Sequence, residues 1–158
     1  MREFRTTRRV FHSAARMFQL VADVERYPEF LPLCTRLAVT DRRAGEDGSE
    51  IVLADMTAAY KAFEESFTSR VTLLPAKNEI LVEYVDGPFR HLTNHWTFAA
   101  NAEGHCIIDF YIDFEFRSRT LQKMMGKLFN EAVQRMVNAF ERRAVTLYAG
   151  DALQGSAP

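Results

Sequence analysis

Residues 119–148, RTLQKMMGKLFNEAVQRMVNAFERRAVTLY, carry the pattern that decides the fold. Leu121, Met125, Leu128, Phe129, Ala132, Met136, Ala139, Phe140 and Leu147 recur at helical spacing, while Lys123, Lys127, Glu131, Asn138, Glu141 and Arg142 take the opposite side. This predicts one amphipathic helix. With a rise of 1.5 Å per residue it would run about 45 Å, too long for a small domain to enclose, so it must lie across the body with one stripe buried. The stripe is rich in Met and Phe, which repack around an irregular neighbour more readily than uniform Leu. Two roles stand open for it: plain core packing, or the wall of a ligand cavity. Arg143 falls on the same stripe, where a long stem suits either snorkelling at the helix end or contact with a ligand.

The strand just upstream sets what the helix covers. In residues 106–116, Cys106, Ile108, Phe110, Ile112, Phe114 and Phe116 share one side and Asp109, Tyr111, Asp113 and Glu115 the other, so the sheet has one apolar and one wet face. Between residues 35 and 116, turn signals at 44–48, 60–62, 75–78, 86–88 and 101–104 separate a succession of six strands. Connections this short favour antiparallel neighbours. The same alternation turns Val52, Ala54, Met56 and Ala58 inward, with Phe63, Phe67, Val71 and Leu73, then Ile80, Val82 and Tyr84, then Leu92, Trp96 and Phe98. A slip of one residue would invert any of these sets.

At the front, Phe4, Thr6, Arg8 and Val10 alternate as a first strand, and Ser13 is placed to cap a helix running to about Asp23. Residues 25–34 are apolar yet interrupted by Pro28 and Pro32, which allow one short helical turn. Phe30, Leu31 and Leu33 in this corner either pack inward or form a candidate lid that touches a membrane. The expected architecture is α+β: a curved antiparallel sheet of about seven strands around a long C-terminal helix, with two short helices after strand 1. Residues 1–148 read as one domain and 149–158 as a flexible polar tail.

With 158 residues, 47% hydrophobic, the chain has enough material for a sizeable core, and its net charge of −1 offers no global attraction to nucleic acid or anionic membranes. DNA is not an expected partner. Cys34 and Cys106, the two cysteines, have no C-x-x-C spacing, which points to a reducing compartment. The expected location is cytoplasmic, with peripheral contact to an inner membrane as an option. His91 and His95 would stand roughly 13 Å apart on a strand, too far to share a metal, and no metal or cofactor is expected. His12 and His105 read as solvated surface. No P-loop, dinucleotide glycine pattern or Ser-His-Asp order appears.

A curved sheet cannot press on a straight helix along its whole length, so a cavity between them is expected. The parity sets place Met56, Phe67, Tyr84, Trp96, Phe98, Phe110, Ile112 and Phe114 on its sheet wall and Met125, Phe129 and Met136 on its helix wall. Glu65, Ser69 and Asn94 are polar residues on those inward faces. Either a bulge returns them to water, or they hydrogen-bond a polar head group in an otherwise apolar tunnel.

Tyr27-Pro28-Glu29-Phe30-Leu31-Pro32-Leu33-Cys34, Ser69-Arg70-Val71, Asp86-Gly87-Pro88-Phe89 followed by Leu92 and Trp96, and Phe140-Glu141-Arg142-Arg143-Ala144 resemble the START-like, or polyketide cyclase/dehydrase-like, superfamily. Within it they look like the coenzyme Q-binding branch, and the ribosome-association toxin branch shares much of the wording. The resemblance spans about residues 3–148. It implies a helix-grip fold and a tunnel holding ubiquinone or a similar polyprenyl lipid as a bound ligand in support of respiration, with no enzymatic chemistry. The sister branch implies instead binding to the large ribosomal subunit and a block of subunit joining. A cyclase or hydrolase is disfavoured because the inward polar set lacks a base beside a nucleophile.

Overall fold

A computed structural model describes residues 2–148 of the chain. The predicted tail at 149–158 lies outside the described residues. In chain order the elements are β1 (Arg2–Val10), α1 (Ala14–Ala22), a 3-10 turn (Val24–Arg26), α2 (Tyr27–Phe30), β2 (Cys34–Ala44), β3 (Glu50–Tyr60), β4 (Phe63–Leu74), β5 (Glu79–Asp86), β6 (Phe89–Ala100), β7 (Cys106–Phe116) and α3 (Arg119–Leu147). All seven strands join one antiparallel sheet in the order β1-β7-β6-β5-β4-β3-β2. β2 to β7 form a meander of hairpins, and β1 closes against β7 with Arg2 opposite Phe114 and Val10 opposite Cys106.

Local chemistry places the helices. Ser13 Oγ accepts from the Arg16 amide at 3.2 Å and starts α1, whose Met17, Phe18, Leu20 and Val21 bury against one end of the sheet. Ser118 caps α3 likewise, its Oγ accepting from the Leu121 amide at 3.2 Å, and the Gln122 side chain accepts from the Phe116 amide at 2.8 Å to hold the strand-to-helix junction. α3 buries Met125, Phe129, Ala132, Val133, Val137, Ala139, Phe140 and Ala144. Leu147, expected on the buried stripe, is exposed.

Two glycines explain features of the sequence. Gly87, in the Asp86-Gly87-Pro88-Phe89 turn, sits at φ +140, and a Cβ there would stand 2.7 Å from Phe67 Cβ and 3.2 Å from the Ser66 carbonyl oxygen. That close approach lets the β5–β6 hairpin drop Phe89 into an aromatic cluster, stacked on Phe116 at 4.5 Å with Phe67 edge-on at 5.2 Å. Gly126 lies inside α3 with the Arg2 guanidinium resting over it. Arg2 is exposed and its far end can swing away, so Gly126→Ala is expected to add about 0.5–1 kcal/mol through helix propensity. A rise of roughly 1–4 °C in thermal unfolding followed by circular dichroism checks it.

Candidate functional site

The apolar concave face is not used uniformly along its strands. At one end, Phe98 lies beneath α1 with its ring 6.2 Å from Phe18, and Phe110 is wedged between Phe4 at 6.3 Å and Trp96 at 4.7 Å. At the other end the sheet curves away from α3 and leaves a cavity of about 220 Å³. Met56, Phe67, Trp96, Ile112, Phe114, Met125, Phe129 and Met136 line it, and so do Ser69 and Asn94.

Four residues expected at the cavity are elsewhere. Phe98 and Phe110 are core, because residues of one parity share a face but not a position along the strand. Tyr84 leaves the lining because its hydroxyl donates to the Gly87 carbonyl at 2.5 Å and its ring packs on Phe89 at 5.7 Å. Glu65, half-buried opposite Ala58 at the start of β4, is also outside the lining. Sequence reasoning in turn missed Leu37 and Val133, and placed Phe63, Val71, Val82 and Ala132 on the buried faces without singling them out as lining. Leu37 was hidden by bulges in β2 between Cys34 and Arg36 and between Val39 and Asp41, which break the alternation.

The corner after α1 closes one side. Leu31, a candidate lid residue, is 5% exposed and faces the cavity as part of the core. Phe30, the second, packs its ring 5.4 Å from Phe140 and 6.1 Å from Tyr27, so it binds the corner to α3 instead of covering a mouth. Leu33, the third, is half-buried in the lining, and its carbonyl accepts from the Ala59 amide at 2.8 Å. Arg143 neither snorkels freely nor reaches the cavity: its Nη2 donates to Glu29 Oε1 at 3.1 Å and its guanidinium covers the Phe30 ring at 5.1 Å. A second clamp sits further up α3, where Lys61 in the β3–β4 turn meets Glu131 at 3.3 Å and Arg135 lies 5.8 Å from the Tyr60 ring. Leu33, Ala59 and Met136 are half-buried lining residues.

The lining offers little polar chemistry. Asn94 Nδ2 donates to the Tyr111 carbonyl at 2.9 Å, and its Oδ1 accepts from Trp96 Nε1 at 3.0 Å, so a β6 amide is held rigidly at the cavity wall with one N–H left over. Ser69 is buried and contributes a hydroxyl from β4. Tyr27 donates its hydroxyl to the Val21 carbonyl, and burial pushes that phenol far above its ordinary range, so it stays protonated. Among the described residues no cluster of His, Cys, Asp and Glu could hold a metal ion. His91 and His95 lie on the opposite, convex face, 3.0 Å from Asp113 and 3.9 Å from Glu79. His12, expected in solvent, is 4% exposed, with its ring 5.8 Å from Tyr148, and the His105 side chain packs edge-on to Phe11 at 5.1 Å.

Cys34 lines the cavity and Cys106 is buried at the far end of the sheet; burial pushes both thiols up to about 11. At pH 8 about one thiol in a thousand is then ionised, so neither is expected to react with iodoacetamide until the chain is denatured. An unfolded thiol titrates near 8.5, below the folded value. Stability from these groups is therefore complete below about pH 8.5 and is lost as pH rises toward 11. Mass spectrometry of alkylated protein with and without denaturant checks the reactivity, and urea unfolding between pH 8 and 11 checks the stability.

Comparison with known proteins gives this geometry a family. The model of a family described as polyketide cyclase / dehydrase and lipid transport matches residues 10–141. The chain belongs to that family. Its fold is START-like: the structure of a START superfamily protein from Mycobacterium smegmatis superposes with a TM-score of 0.76 at 22% identity, covering 92% of this chain and 98% of that one. Among similar proteins, ribosome association toxin RatA of Vibrio cholerae is 37% identical over 139 residues, covering 88% of this chain and 92% of its own. The mitochondrial coenzyme Q-binding protein COQ10 homolog B of Xenopus laevis is 30% identical over 140 residues, covering 86% of this chain and 55% of its own. Among the described residues, no helix is long and apolar enough to cross a membrane.

Proposed function

We propose that the chain is a non-catalytic carrier whose cavity takes an apolar ligand of the polyprenyl-quinone class. The observation that carries this reading is a partly open space lined almost wholly by aliphatic and aromatic side chains, with Ser69 and Asn94 as isolated polar points for a ring carbonyl. The relative named for coenzyme Q binding and the family's description as lipid transport support it. At about 220 Å³ the cavity lies below the roughly 300–1,000 Å³ of sites for drug-sized ligands. It suits a quinone ring with its first isoprene units, and the rest of a long tail leaves past Leu33, Ala59 and Met136. Met56, Phe67, Trp96, Ile112, Phe114, Met125 and Phe129 are the proposed apolar contacts. Loading would take place by transient contact of a cytoplasmic protein with the inner membrane. A lining without a base beside a nucleophile supports binding over catalysis.

Organic extraction of protein purified from a quinone-producing host, followed by mass spectrometry, is expected to recover substoichiometric quinone. A lipid-free extract from a protein that also fails to take up added short-tail quinone would overturn the proposal.

A second reading, association with the large ribosomal subunit, draws on the higher identity to the protein named for ribosome association, 37% against 30% for the coenzyme Q-binding relative. It predicts co-sedimentation with large subunits in a sucrose gradient and fewer joined ribosomes on overexpression. Migration only at the top of the gradient, with normal profiles, would remove it.

A further inference from the structure

Several arginines of this molecule are held by carboxylates. Arg8 reaches Glu141 at 3.2 Å, Arg43 reaches Asp41 at 2.9 Å, Arg135 reaches Glu131 at 3.3 Å, and Arg42 holds Glu25 and Glu50. The first half of α3 is different. Residues 117–130 contain Arg117, Arg119, Lys123 and Lys127 and no acidic residue. Arg117 donates to the Phe89 carbonyl at 3.0 Å, but Arg119, Lys123 and Lys127 are exposed and make no ion pair among the described residues. They stand four residues apart on one row of the helix, about 6 Å between neighbours, and Arg2 joins them from β1 where its guanidinium lies over Gly126.

These cations do not serve the helix. Arg119, in the first turn, opposes the helix dipole, and α3 has no acid there to offset it. Nor is the face built for lipid. A membrane-seeking helix interleaves its lysines with exposed aromatic or aliphatic residues, whereas the exposed large apolar side chains here are Phe11, Val85, Ile107, Val145 and Leu147, none of them in this row. What remains is an evenly spaced, wholly polar line of positive charge suited to the phosphates along one strand, which hold a protein in position without reading bases.

We infer that Arg2, Arg119, Lys123 and Lys127 form a contact surface for the phosphate backbone of an RNA helix. This rests on the ribosome-association reading and is independent of the cavity, since Met125 and Phe129 line the cavity from the opposite side of α3. The test uses the whole protein and a 5′-labelled RNA hairpin of about 20 base pairs, read by fluorescence anisotropy. With four phosphate contacts, affinity should fall about 100-fold between 50 and 200 mM salt. Lys123→Glu/Lys127→Glu should bind at least about tenfold more weakly at 50 mM and flatten the salt slope by roughly two. Its melting temperature should be unchanged, it should lose co-sedimentation with large subunits, and a control Arg36→Glu should behave as the parent.

If the parent and the double variant co-sediment equally, the surface assignment is overturned while ribosome association stands. If the parent does not co-sediment yet binds the hairpin and loses that binding in the variant, ribosome association falls and the RNA surface stands. Binding to phosphatidylglycerol vesicles without hairpin binding would assign the row to a membrane and overturn the inference.

Discussion

Leu31→Asp is expected to lower the melting temperature by on the order of 10 °C. Leu31 is 5% exposed, belongs to the core cluster, and faces a cavity wall of aliphatic and aromatic side chains. An aspartate there must either leave its charge without water or take up a proton and bury an unpaired hydroxyl, at roughly 3–5 kcal/mol. For a chain of this length each kcal/mol moves the transition by about 2–4 °C. A lid residue would behave oppositely, tolerating the charge and changing only exchange of ligand with liposomes. Differential scanning calorimetry decides between them, and a shift below about 2 °C would return Leu31 to the surface.

Met125→Trp is expected to abolish capture of a short-tail quinone while leaving the fold in place. Met125 is 7% exposed and lines the cavity from α3. In a filled core the added volume would cost about 1–3 kcal/mol. Into open space an indole can turn at almost no cost, so the melting temperature should stay within about 3 °C. The space it takes is the ligand's, and uptake should fall at least tenfold, equivalent to about 1.4 kcal/mol. Unchanged uptake by the folded variant would show that this stretch of α3 is packing and not a binding wall.

The architecture was legible because two periodicities are written plainly: the 3.6-residue stripe from Met125 to Phe140 and the two-residue alternation from Cys106 to Phe116. The cavity was legible only in part. Alternation says which face Phe98, Phe110, Ile112 and Phe114 occupy, but not that α1 covers Phe98 while Phe114 borders open space. That difference comes from sheet curvature, which depends on contacts between elements far apart in the chain. The corner at Phe30 and Leu31 was ambiguous for a related reason: two prolines remove the local periodicity, so only its partner, Phe140 on α3, reveals which way it packs. His12 looked solvent-exposed by its place at an element end and is buried beneath Tyr148, a contact across nearly the whole chain.

The order of strands also fixes a schedule for the growing polypeptide. β1 is made first, yet its partner β7 begins roughly 100 residues later, so at about 5–20 residues per second the opening strand waits some 5–20 s for its neighbour. The helix that covers the concave aromatic face is made after every strand. Until it arrives, the nascent meander presents Phe67, Phe89, Trp96 and Phe114 to the surroundings. A chain that carries all seven strands but not yet α3 therefore leaves its most adhesive surface uncovered, and such chains should be the ones that chaperones retain.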